Sequence, residues 1–149
     1  MGTILNRFKT TNHFSGILAI FCSDERFVEA NLTFLRSSLK IKQCDLITIP
    51  GGSAFIVNNE LNLLERLRIL VEAHNIKQII LISHYDCGYY KKSIGNSSEE
   101  KILNKQMSDI RESVYIIKKI FKDISVKGFY AQTFNSEIIE YTQIPMDET

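Results

Sequence analysis

Hydrophobic positions along this chain fall into two patterns: short unbroken apolar runs, and longer stretches where they recur every three or four residues. Ile17–Cys22 has no polar interruption, which predicts a strand buried on both faces. From Glu25 to Leu39, the residues Val28, Leu32, Leu35 and Leu39 recur at helical spacing. Asp45–Ile49 predicts a second strand, stopped by Pro50-Gly51-Gly52. Asn59 stands where it can cap a helix from Glu60 to about Ala73, with Leu61, Leu64, Leu67 and Val71 turned inward. Gln78–Ser83 predicts the third strand, and residues 84–98 a loop with one helical turn. Ser97 and Glu100 form a capping box for a long helix striped by Leu103, Met107, Ile110, Val114, Ile117 and Phe121. A fourth strand over Val126–Thr133 and a short fifth over about Ile138–Ile144 close the chain.

Strands alternating with helices predict an α/β fold, a mostly parallel sheet of four to five strands flanked by helices. No repeat, low-complexity tract or linker interrupts the pattern, so residues 1–149 are expected to form a single domain. Residues 1–14 and 146–149 read as loose termini or as arms that pack on a partner subunit.

Composition narrows the classes. Charged residues make up 23% of the chain and the formal net charge is +1, which fits a globular protein and leaves no nucleic-acid footprint. Lys91-Lys92 and Lys118-Lys119 are doublets of the kind found on solvated helix faces. The N-terminus lacks the apolar core and cleavage site of a signal peptide, and no apolar run approaches membrane-spanning length. A cytoplasmic protein is expected, and there three cysteines point to metal or catalysis before a disulfide framework.

The chemistry gathers at two strand ends. Cys22, Asp24 and Arg26 follow the first strand on alternate positions, and His84, Cys87 and Gly88 follow the third. In an open parallel sheet, ligands bind outside the carboxyl ends of the strands where the strand order reverses. With strand one between strands two and three, both clusters meet in one crevice. Two thiolates and an imidazole make a zinc set, and three protein ligands leave a fourth position for water. Asp24 is the nearby group able to fill that position. Cys44, His13 and His74 lie elsewhere and read as structural or surface residues. Taken singly, Cys22 and Cys87 read as small buried hydrophobes, His84 as a hydrogen-bonded histidine, and Asp24 with Arg26 as a helix-terminal salt bridge. Their joint placement favours the metal.

"CSDER" and "HYDCG" resemble the two signature motifs of the β-class carbonic anhydrases, Cys-x-Asp-x-Arg and His-x-x-Cys-Gly. The likeness extends through the order of elements from about residue 16 to 135. It implies a sheet in the order 2-1-3-4 with a short fifth strand, zinc (Zn2+) held by Cys22, His84 and Cys87, and an Asp24–Arg26 pair beside the fourth ligand. It also implies a homodimer or higher homo-oligomer. After the second strand the chain departs from the family's Arg-Asn-Ala-Gly type of segment, with Ile49-Pro50-Gly51-Gly52-Ser53-Ala54.

The implied reaction is the reversible hydration of carbon dioxide to bicarbonate by a zinc-bound hydroxide. Two thiolates cancel the charge of the ion and make its water less acidic than three imidazoles would. An acceptor such as Asp24 therefore helps, and the fork of Arg26 holds that carboxylate ionised and away from the metal. Backbone N–H groups at Gly51, Gly52 and Ser53 either receive the anionic product or form a plain turn. Phe55, Tyr89 and Tyr90 either wall an apolar pocket or belong to the core or an interface. Rival readings are hydrolysis of carbonyl sulfide or carbon disulfide by the same zinc hydroxide, a non-catalytic zinc protein, and a thiol redox protein. The last leaves His84 unexplained.

Overall fold

Five strands form one sheet in the order β2-β1-β3-β4-β5 in the computed structural model, which describes residues 2–146. The strands are β1 (Ile17–Phe21), β2 (Asp45–Thr48), β3 (Gln78–His84), β4 (Ser125–Phe134) and β5 (Ile138–Gln143). The helices are α1 (Glu25–Ser37), α2 (Ala54–Val57), α3 (Leu61–Ala73), α4 (Gly88–Ile94) and α5 (Glu99–Ile120). The expected α/β class and strand order hold: β2, β1, β3 and β4 are mutually parallel, and β5 returns antiparallel to β4. No helix among the described residues is long and apolar enough to cross a membrane.

Alternate residues of each strand serve opposite faces of the sheet. Leu18, Ile20, Ile79 and Leu81 join Phe55, Leu67, Val71, Ile110 and Ile117, so α2, α3 and α5 cover one face. Ala19, Phe21, Ile80 and Ile82 join Phe27 and Leu35 of α1 on the other. The chain leaves β2 for the opposite face from the one α1 occupies and crosses to β3, so the strand order reverses around β1.

Several local readings are corrected. The segment after β2 contains α2, a single buried turn too short and too uniformly apolar to show a period. Asn59 does not cap α3; its φ of 53° is left-handed, a conformation asparagine tolerates, and it ends the α2 turn by donating its N–H to Ile56 O. Glu60 occupies the cap position without a side-chain bond. The long helix starts one residue later than its expected box, with Ser98 Oγ accepting the Lys101 N–H at 3.2 Å, while Ser97 bonds back to Ile94 O. Its inner face also differs: Gln106, Asp109 and Ser113 are buried, whereas Leu103 lies at the surface. The seven residues of α4 exceed the one turn expected after the third strand. Residues 2–14 carry no helix or strand, and 147–149 lie outside the described residues.

Candidate metal centre

Register brings the two clusters together. Phe21 of β1 pairs with Ile82 of β3, so Cys22 and His84 leave the sheet at the same edge. Both chains then turn into helices, with Asp24 as N-cap of α1 and Cys87 as N-cap of α4. The ligand atoms of Cys22, His84 and Cys87 all lie within 4.8 Å of one another, and all three residues are buried.

Each sulfur is held by main-chain donors. Cys22 Sγ accepts N–H groups of Gly51 and Asp24, and Cys87 Sγ accepts those of Tyr89 and Tyr90. Cys87 S–H donates to Cys22 Sγ at 4.0 Å. That bond lowers the Cys22 thiol far below the usual thiol range and raises Cys87, with burial pushing both upward. Gly51 and Gly52 enable the approach of the β2–α2 turn. Gly52 has a φ of 56°, and a Cβ there would come 3.2 Å from Cys22 N; a Cβ on Gly51 would strike the Tyr89 ring at 2.5 Å.

His84 presents the clearest sign of a ligand. Its Nδ1–H donates to Tyr85 O at 2.7 Å, which leaves the lone pair on Nε2. That nitrogen is buried and has no hydrogen-bond partner among the described residues, a costly arrangement that a metal would relieve. Phe27 covers the imidazole at 4.3 Å between ring centroids, and Gln106 Nε2 donates to His84 O at 2.9 Å. Two sulfurs sharing a tetrahedral zinc, each at about 2.3 Å, stand roughly 3.8 Å apart. The observed 4.0 Å and the soft Cys2His donor set fit that ion.

Asp24 stands beside this set, with Oδ2 3.9 Å from His84 Nε2. Arg26 grips its carboxylate twice, Nε donating to Oδ1 at 3.0 Å and Nη2 to Oδ2 at 2.6 Å, and the Arg26 backbone N–H adds a bond to Oδ1. These bonds hold the carboxyl at about 2, below its ordinary 3.8, against a smaller opposing effect of burial. The linked stabilisation is full above pH 3.8 and is lost only as pH falls through about 2, so Asp24 is an anion throughout the neutral range.

The other candidates separate as their surroundings dictate. Gly51 N–H points to Cys22 Sγ and Gly52 N–H to Ile49 O at 2.9 Å, so two of the three N–H groups expected to receive an anion are already paired and support the thiolate side instead. Ser53 is buried beside them. Phe55 belongs to the core, Tyr90 is buried with its hydroxyl donating to Asp109, and Tyr89 lies against Gly51. His74 bonds Asp45, His13 bonds Thr11, and Cys44 is remote at the start of β2. A groove of about 340 Å³, lined in part by Arg26, Phe27 and Tyr85, lies along the Arg26 side of the cluster.

Sequence reasoning passed over Asp86, whose carboxylate is the second partner of Arg26. An acidic residue inside "HYDCG" is visible in the sequence, but its contact with a residue 60 positions away depends on the sheet order.

A mostly parallel sheet carrying a buried Cys-His-Cys set at the carboxyl edge of its reversal point defines an α/β protein with a candidate metal site. Residues 11–140 match the family described as "Putative carbonic anhydrase", and the chain belongs to that family. It is similar to an uncharacterized protein of Rickettsia bellii, 31% identical over 129 residues that span 81% of this chain and 78% of the relative. Among solved structures, the β-carbonic anhydrase CafA of Aspergillus fumigatus superposes with a TM-score of 0.62 at 15% identity, covering 92% of this chain and 78% of that one. A tetrameric β-carbonic anhydrase of Sordaria macrospora gives 0.56 at 13% identity, with 87% and 81% covered. At such identities the superpositions establish the shared fold.

Proposed function

We propose that this protein binds zinc through Cys22, His84 and Cys87 and catalyses the reversible hydration of carbon dioxide to bicarbonate. The observation that carries the reading is the unpartnered, buried His84 Nε2 between two cysteines, with an Arg-clamped carboxylate 3.9 Å away. Zinc held at such a site would polarise a bound water and make it more acidic than bulk water. The protein's own groups do the rest. The Cys87 bond, with main-chain N–H groups of Gly51 and Asp24, favours the thiolate of Cys22, those of Tyr89 and Tyr90 oppose the upward push on Cys87, and the Tyr85 carbonyl keeps His84 in the tautomer that offers Nε2. Asp24 accepts the hydrogen bond of the reacting water and aims its lone pair at the carbon of carbon dioxide. Arg26 keeps the Asp24 carboxylate turned from the metal position.

The direct test is zinc analysis together with stopped-flow carbon dioxide hydration, with carbonyl sulfide assayed in parallel. About one zinc per chain with hydration above background is expected. Background hydration with turnover of carbonyl sulfide would move the substrate to the sulfur analogue, and no turnover of either would overturn the enzyme reading. Asp24→Asn is expected to retain zinc and lose hydration by roughly 10–100-fold, since it weakens an acceptor without adding a metal ligand. A fully active variant would remove Asp24 from the mechanism.

We further infer a homo-oligomer. The Sordaria relatives are tetrameric, and here Leu5 and Phe8 extend from the N-terminal segment 94% and 86% exposed, apolar surface that a second copy would cover. Light scattering at micromolar concentration should give the mass of two chains or more; a monomer would contradict this.

A further inference from the structure

Arg26 is held on two sides. Beyond its grip on Asp24, Nη1 donates to Asp86 Oδ2 at 3.1 Å and Nη2 to the Asp86 backbone oxygen at 3.1 Å. Asp86 is itself fixed, its other carboxylate oxygen accepting Lys91 Nζ at 2.8 Å. Asp86 immediately precedes Cys87, and Asp24 lies two residues after Cys22. The guanidinium is therefore a strut between the two segments that carry the candidate ligands.

The strut matters because Arg26 is 54% exposed. A long, solvated side chain with one carboxylate partner is costly to hold in one orientation, and isolated surface pairs contribute little. A second carboxylate and a carbonyl on the opposite edge of the planar fork fix its orientation. The residue type at 86 is also narrowly limited. Its φ of 58° is left-handed, open chiefly to Gly, Asn and Asp, and of these only Asp brings a charge.

We propose that Asp86 is a positioning residue of this centre: it anchors Arg26 so that the guanidinium stays on Asp24, and so limits how often Asp24 is released towards the metal. The role rests on the proposed work of Asp24 beside zinc. A surface pair with Lys91 alone would satisfy the Asp86 charge but would leave the two bonds to Arg26 without consequence.

Asp86→Asn tests this, because asparagine keeps the left-handed backbone and removes only the charge. In the protein as purified, NMR solvent exchange of the Arg26 Nε–H should be about tenfold faster in Asp86→Asn than in wild type, at equal zinc content. Carbon dioxide hydration should fall several-fold, and in an Arg26→Ala background the same substitution should cause no further loss. Unchanged Nε–H exchange, or an undiminished loss in the Arg26→Ala background, would overturn the role. If wild type hydrates no carbon dioxide yet Arg26 loosens in Asp86→Asn, the hydration reading fails and the positioning contact stands. Normal hydration with unchanged exchange gives the reverse.

Discussion

Arg26→Ala is expected to keep its zinc and lose carbon dioxide hydration by on the order of 100-fold at neutral pH. Asp24 loses every side-chain bond that Arg26 now supplies, and a zinc ion held by Cys22, His84 and Cys87 would then be the charge that draws it. A carboxylate in the fourth position closes a tetrahedral site to water. Activity should return in part at high pH, where hydroxide competes with that carboxylate. Without the guanidinium the Asp24 carboxyl also moves up from about 2 towards its ordinary 3.8, which leaves it an anion at neutral pH and so a competent ligand. Zinc content and initial rate measured across pH on both proteins decide the matter. Equal rates for wild type and variant would rule out the clamp.

The second large effect is loss of the ion itself. His84→Ala, Cys22→Ala and Cys87→Ala should each reduce zinc from about one per chain to roughly a tenth or less, with hydration at background. Stability should follow by mass action: at free zinc of about 100 times the dissociation constant, binding contributes about 2.7 kcal/mol, or roughly 5–10 °C in Tm for a chain of this size. Chelated wild type is the control, and its Tm should fall by a similar amount. The cysteine variants should behave as His84→Ala does, because each sulfur is buried in the same cluster. Full zinc retention in all three would remove the site.

What could be read beforehand, and what could not, follows from the range of the forces involved. The strands were legible because β1 and β3 are apolar on both faces, and such runs need no partner to be recognised. The convergence of Cys22 with His84 and Cys87 was legible because strand ends and strand order bring those positions together without knowledge of any side chain. The α2 turn was not, since four apolar residues in a row, three of them buried, carry no period. Asn59 offered a capping side chain, but its backbone served the preceding turn instead. The buried Gln106 and Asp109 of α5 were hidden because their partners His84 O and Tyr90 come from tertiary packing, Lys105 being only a neighbour of Asp109 one turn back on the same helix. Asp86 was missed for the same reason.

The parallel pairing of β1 with β3 also sets a timetable. Cys22 and Cys87 are 65 positions apart, and no arrangement of the first strand alone can bring them together. At about 5–20 residues per second, translation leaves the Cys22 thiol without its future neighbours for roughly 3–13 s. The proposed zinc would therefore not nucleate this fold early in synthesis. The nascent chain must first complete α1, β2, α2, α3 and β3 and align Phe21 with Ile82. Only then do the three side chains stand together, so loading with the proposed zinc would be a late event that inspects a sheet already in register.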